Sequence, residues 1–327
     1  MRQIIYLFIF ILLFSIPAFA QSAGQTLTTA EGYQLQVSLK PAKSTLMLGE
    51  PLYLKFEIRS PKLCYESRYF FENFSKSNSY ALKIVRDDGT AITPASVPVD
   101  STFHTPCQKD VSEYVQNRRL FLAPDKTFRE AGNYTVTIKQ KIPPTSGFAK
   151  TAEPLFAEIA TQITVVPFDY AKFSEVIDTL GKEMIDGNYD SGTLLRLIHD
   201  KRAIKYYAQY LEKLSKDEKG DTDELIYRKF AALYALSDYN DADALDAIKS
   251  WMNWKNERVR VAVAGSLFSS PYPKALGFLI QMRSDESAKV RLTALLGLEK
   301  LETEESTAIL REMLKDTDEK VSAKAQE

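Results

Sequence analysis

Apolar and polar residues alternate one by one through the first half of the chain. Tyr33, Leu35, Val37 and Leu39 form one such run, and Leu52, Leu54, Phe56 and Ile58 a second. Tyr134, Val136 and Ile138 form a third, and Ile159, Thr161, Ile163 and Val165 a fourth. A period of two places each set on one face of a strand. Asp88-Gly89 separates Leu82–Val85 from Thr90–Ile92 and predicts a hairpin turn. Short antiparallel strands broken by Pro and Gly predict two packed sheets.

From Phe168 onward the period turns helical. It carries a longer repeat of 31 residues: Val259, Val290 and Val321 recur at that spacing. So do Ile248, Leu279 and Leu310, Trp251, Met282 and Met313, and Leu236, Leu267 and Leu298. Asn256, Ser287 and Asp318 each stand three residues before a repeated Val, where a side-chain oxygen can cap a starting helix. Each unit therefore reads as a helix pair. One helix shows Ala244, Ile248 and Trp251; the next shows Val259, Val263 and Leu267. A lone pair cannot bury both stripes, so the units must stack. Leu211 and Leu214 match Leu279 and Met282 more weakly, with about six extra residues in Ser215–Asp223.

Two resemblances follow from these residues. Glu257-Arg258-Val259-Arg260-Val261-Ala262 and Ala288-Lys289-Val290-Arg291-Leu292-Thr293 resemble the D-x-x-V-R-x-x-A helix of HEAT-type repeats. Their short period resembles the bacterial phycobilisome-lyase class, although no bilin-binding signature is visible. The resemblance implies that Arg260 and Arg291 bond a neighbouring acid or carbonyl, with Asp285 and Asp316 as candidate acceptors. It leaves Arg258 and Lys289 as exposed contact residues. In the first half, Leu48-Gly49-Glu50-Pro51-Leu52 and Glu130-Ala131-Gly132-Asn133-Tyr134-Thr135-Val136 resemble bacterial Ig-like sandwich domains. The fold class expected is an all-β Ig-like sandwich over 21–168, then an all-α HEAT-like solenoid over 169–327. Proline agrees: of 14, eleven fall between 21 and 168 and two, Pro271 and Pro273, come later.

The N-terminus changes the picture by setting a compartment. Arg2 precedes eleven unbroken apolar residues, Ile4–Phe14, and Ala18-Phe19-Ala20 follows. This is the layout of a secretory signal peptide over 1–20, which predicts a periplasmic or extracellular protein. Ile4–Phe19 is shorter than the ~20 residues that span a bilayer, so no stable membrane insertion is expected after cleavage. In an oxidising compartment the only two cysteines, Cys64 and Cys107, would form one disulfide; two buried free thiols are the alternative.

Candidate chemistry is sparse. Net charge is −1, which offers no field for nucleic acid. There are two His, and His104 beside Cys107 makes a poor nucleophile pair. No nucleotide, zinc-protease or hydrolase motif is present. Asp186, Asn188 and Asp190 have a calcium-like spacing, but Ser191 stands where Gly is needed and Leu197 where a bidentate Glu is needed. No catalytic residue, metal or cofactor is therefore assigned. The expected function is an exported, non-enzymatic scaffold that binds another protein through its repeats, with Arg258 and Lys289 in contact. The alternative is a ligand-binding or inhibitor module acting through the aromatic segment 65–80, with Tyr69 and Phe71 as anchors.

Overall fold

The computed structural model describes residues 23–28, 32, 34–60, 80–92, 99–104, 114–142, 155–217, 220–300 and 303–327. The chain divides into two compact units, Met1–Phe168 and Asp169–Glu327.

The first unit is sheet-rich. Its strands are β1 Ala23–Thr28, β2 Gln34–Pro41, β3 Thr45–Met47, β4 Leu52–Ser60, β5 Tyr80–Arg86, β6 Ala91–Ile92, β7 Val99–His104, β8 Tyr114–Leu122, β9 Gly132–Ile142 and β10 Leu155–Val166. They form two five-stranded sheets, in the orders β1-β2-β4-β8-β7 and β3-β10-β9-β5-β6. The inward residues of both sheets meet in one core. Leu35, Val37 and Leu39 of β2 and Leu54, Phe56 and Ile58 of β4 face Val136 and Ile138 of β9 and Ile159 and Ile163 of β10. These are the alternating positions of the sequence, so the period of two directs the burial. Gly89 takes a positive φ of 88° in the turn between β5 and β6, which pair antiparallel. Arg118 of β8 donates to Gln140 of β9 at 2.9 Å, a buried polar link between the sheets. Tyr134 donates its hydroxyl to the Glu130 carbonyl at 2.7 Å, tying the start of β9 to the segment before it.

Two features depart from expectation. β3 pairs parallel with β10, Leu46 opposite Val165, because the chain leaves the first sheet after β2 and crosses to the second. Pro124–Thr127 forms a helical turn, with Pro at its start where no N–H is needed.

The second unit is helical: α1 Tyr170–Ile185, α2 Tyr189–Ile198, α3 Ile204–Ser215, α4 Asp223–Ser237, α5 Ala242–Lys249, α6 Glu257–Ser269, α7 Ala275–Met282, α8 Ala288–Glu299, α9 Glu304–Met313 and α10 Glu319–Lys324. Val259, Val290 and Val321 are fully buried, as are Leu236, Leu267 and Leu298. The second helix of each pair packs on its neighbours in turn, α4 on α6 and α6 on α8. The 31-residue period is therefore the period of stacking. Asn256 and Asp318 accept the free N–H groups of α6 and α10. Ser287 holds the same position before α8, but its hydroxyl donates instead to Glu257 at 2.8 Å. Leu310 is half-buried, and Ile309 beside it takes the core position.

Gly181 on α1 lies directly beneath the ring of Tyr206 on α3. That ring is held in place: its hydroxyl donates to Asp178, and the Lys205 ammonium stands 4.6 Å from its centroid.

Candidate functional site

The helix pairs create two distinct arrays of charge, one inside the stack and one on its surface. Inside, Arg260 opens α6 and turns into the junction with the next pair. Its Nε and Nη2 donate to the two oxygens of Asp285 at 2.8 and 3.0 Å. Its Nη1 donates to the carbonyls of Trp254 and Lys255 at 2.8 and 3.3 Å. Arg291 repeats the arrangement 31 residues on. It meets both oxygens of Asp316 at 2.8 and 2.7 Å and the carbonyls of Asp285 and Glu286 at 2.9 and 3.2 Å. Each carboxylate also accepts a backbone N–H from its own loop, Ser287 for Asp285 and Asp318 for Asp316. The planar fork of Arg satisfies four acceptors at once, which an ammonium could not do. These side chains are nearly buried, so the rungs hold one loop to the next and leave little for a partner to touch.

A third position belongs to the same column. Lys229 stands 31 residues before Arg260 and is buried on α4. The residue 31 before Asp285 is Trp254, not an acid. Asp221 supplies the charge instead: it pairs with Lys229 and accepts the Trp254 indole N–H at 3.0 Å. The Lys229 ammonium lies 4.9 Å from the Trp254 ring centroid. Sequence reasoning missed this rung because both partner types change within it. Counting back one period from Arg260 would have found Lys229.

The rungs predict an acid limit. Hydrogen bonding from Arg291 holds the Asp316 carboxyl below the ordinary carboxylate range. A depressed native pKa contributes stability above the unfolded value of about 3.9, and that contribution is lost as pH falls through the lower native value. Acid unfolding of the helical signal should lose part of its steepness below about pH 4 in Arg291→Met. A superimposable acid profile would show that this rung does not carry the dependence.

On the surface, positions i, i+3 and i+7 of each second helix line up across the stack. Tyr227, Phe230 and Tyr234 lie on α4; Arg258, Val261 and Gly265 on α6, with Gly265 buried against Tyr234; and Lys289, Leu292 and Leu296 on α8. Tyr227, Arg258 and Lys289 are exposed, with Lys320 of α10 continuing their column. Phe230, Val261 and Leu292 are half-buried and form an apolar band beside it. Arg258 pairs with Asp223 of the preceding second helix, and Lys289 with Glu257 at 2.7 Å. Such exposed pairs contribute at most about 1 kcal/mol and can exchange partners.

Other candidates of the sequence, and polar residues beside them, have local roles or lie elsewhere. Asn188 caps α2, and Asp241 caps α5. His199 ends α2 with a positive φ of 53°, its ring stacked on Tyr239 at 4.8 Å. Among the described residues, no group of three His, Cys, Asp or Glu side chains could hold a metal ion. Also among them, no helix is long and apolar enough to cross a membrane. The leader-like residues 1–20, the pair Cys64 and Cys107, and Tyr69 and Phe71 of the aromatic segment lie outside the described residues.

No curated protein matches the chain. The HEAT repeats family matches residues 255–327, the stretch that runs from α6 to α10 and carries both Arg–Asp rungs.

Proposed function

We propose that this is an exported, non-enzymatic scaffold that captures a protein partner on the exposed surface of its second helices. The observation that carries the reading is the alignment of Arg258, Lys289 and Lys320 beside Phe230, Val261 and Leu292 across successive repeats. HEAT repeats generally mediate protein contacts, and their match over 255–327 supports the same reading. Export rests on the leader-like layout of residues 1–20.

The spacing suggests what the partner presents. Neighbouring packed helices lie about 10 Å apart, and an extended chain advances about 3.3 Å per residue. A segment crossing the helices would thus place about every third residue over a new repeat. Acidic side chains in that register would meet the cation column, and apolar ones would meet the band beside it. Attraction between opposite charges would steer the encounter, and the apolar band would hold the complex.

The test is capture from the native extracytoplasmic fraction by the full chain and by Arg258→Glu/Lys289→Glu. The double variant should bind its partner about tenfold or more weakly, because like charges then face each other. Its circular dichroism should match the parent, since both side chains are exposed. Equal capture by the two proteins would remove this surface from consideration.

A further inference from the structure

A different place in the helical unit holds a cavity. The second helices α4, α6 and α8 pack flush in sequence, but α2 and α4 do not close on one another in the same way. Tyr207 and Tyr210 of α3 bridge the gap from below, and small residues widen it: Gly192 on α2 and Ala231, Ala232 and Ala235 on α4. What remains is a mostly apolar pocket with a free volume of about 50 Å³. At its mouth the Tyr189 and Tyr227 hydroxyls meet at 3.2 Å, and both rings are exposed. The polar groups of the floor are spoken for, as Tyr207 donates to the Gly192 carbonyl at 2.8 Å.

One charge lines this pocket. Arg228 lines its wall, and Nη2 donates to Glu224 at 2.6 Å. Glu224 is 72% exposed, one turn away on the same helix, so its hold is that of a solvated i,i+4 pair, and Arg228 also bonds the Tyr210 hydroxyl. A ligand carboxylate seated inside the mouth could take its place on the fork.

We propose that this pocket binds a short branched aliphatic carboxylate, with the hydrocarbon between Gly192 and the alanines of α4 and the carboxylate on Arg228. The size argues for a small hydrocarbon: an engineered cavity of ~150 Å³ holds benzene, and this one is about a third of that. The apolar lining selects the hydrocarbon, and the single cation selects the anion. The site does not depend on the Arg258–Lys289 surface. The same chemistry could come from a free acid or from a polypeptide ending in Val.

The test uses the full chain labelled with ¹³C-methyl methionine, since Met184 lines the pocket. Isovalerate should shift the Met184 methyl signal saturably at millimolar concentration, and isovaleramide should not. Arg228→Gln should weaken binding by about tenfold or more, the worth of one charge-assisted hydrogen bond. Ala231→Leu should fill the space and abolish the shift. The remaining methionine signals would show that both variants are folded. A tetrapeptide with a free C-terminal Val that binds more tightly than isovalerate, and loses that on amidation, would support the site and name a chain terminus as its source. A peptide weaker than isovalerate would support it with a free acid as the source. Equal binding of acid and amide, indifference to Arg228→Gln, or no shift of Met184 would each overturn the proposal.

Discussion

Arg260→Ala should lower the stability of the helical unit by about 3–5 kcal/mol, the cost of leaving one member of a buried ion pair alone. The substitution strips Asp285 of both its guanidinium hydrogen bonds and leaves the Trp254 and Lys255 carbonyls short of a donor. All of this happens where Asp285 is 11% exposed, so water replaces little of what is lost. The comparison is Arg258→Ala, two residues away on the same helix. It breaks only an exposed pair with Asp223 and should cost less than about 1 kcal/mol. Urea unfolding of the full chain, followed by far-ultraviolet circular dichroism, measures both. Arg260→Lys should recover only part of the loss, because an ammonium cannot serve four acceptors in one plane. Lys229 occupies the equivalent position beside Asp221 and the Trp254 ring, whereas at Arg260 the residue in the place of Trp254 is Asp285. If the Ala variants at 258 and 260 lose equally, the rung is not what joins these units.

Gly181→Ala should destabilise by about 2 kcal/mol, against the usual gain of up to ~1 kcal/mol for replacing a helical Gly. A methyl group there would fall within the ring of Tyr206. The ring cannot swing aside cheaply, because Asp178 holds its hydroxyl and Lys205 covers its face. The alternative is for α1 and α3 to separate, which opens the core around Ile177 and Tyr207. The decisive measurement is the same change made in Tyr206→Ala. There Gly181→Ala should reverse sign and stabilise by up to ~1 kcal/mol. A loss of equal size in both backgrounds would mean that the ring is not the obstacle.

Much of this architecture was legible because burial follows short periods. Leu35, Val37 and Leu39 needed only their alternation to be placed on an inward face, and Val259, Val290 and Val321 only their spacing. The Arg–Asp rungs were legible for the same reason, since Arg260 and Arg291 stand in register with Asp285 and Asp316. The parallel pairing of β3 with β10 was not. It depends on where the chain crosses between sheets, and a three-residue strand carries no pattern that records it. β1 escaped notice because Ala23–Thr28 has hardly any apolar alternation. At the candidate surface, exposure could be anticipated for Arg258 and Lys289, but not that each already reaches back to an acid one unit earlier. The pocket beside Arg228 leaves no trace in the sequence at all. It exists because two helices fail to close, and a void is a property of packed side chains together.

The substituted rung has an optical consequence. The chain holds two tryptophans, and both lie at this one junction: Trp251 and Trp254 meet at 4.5 Å with their rings tilted, and the Lys229 ammonium lies near both. Their emission therefore watches a single place in the molecule. A fluorescence melt would register the parting of α4 from the loop before α6 and be blind to the sheets. Its midpoint would differ from that of a whole-chain probe wherever the two units unfold separately.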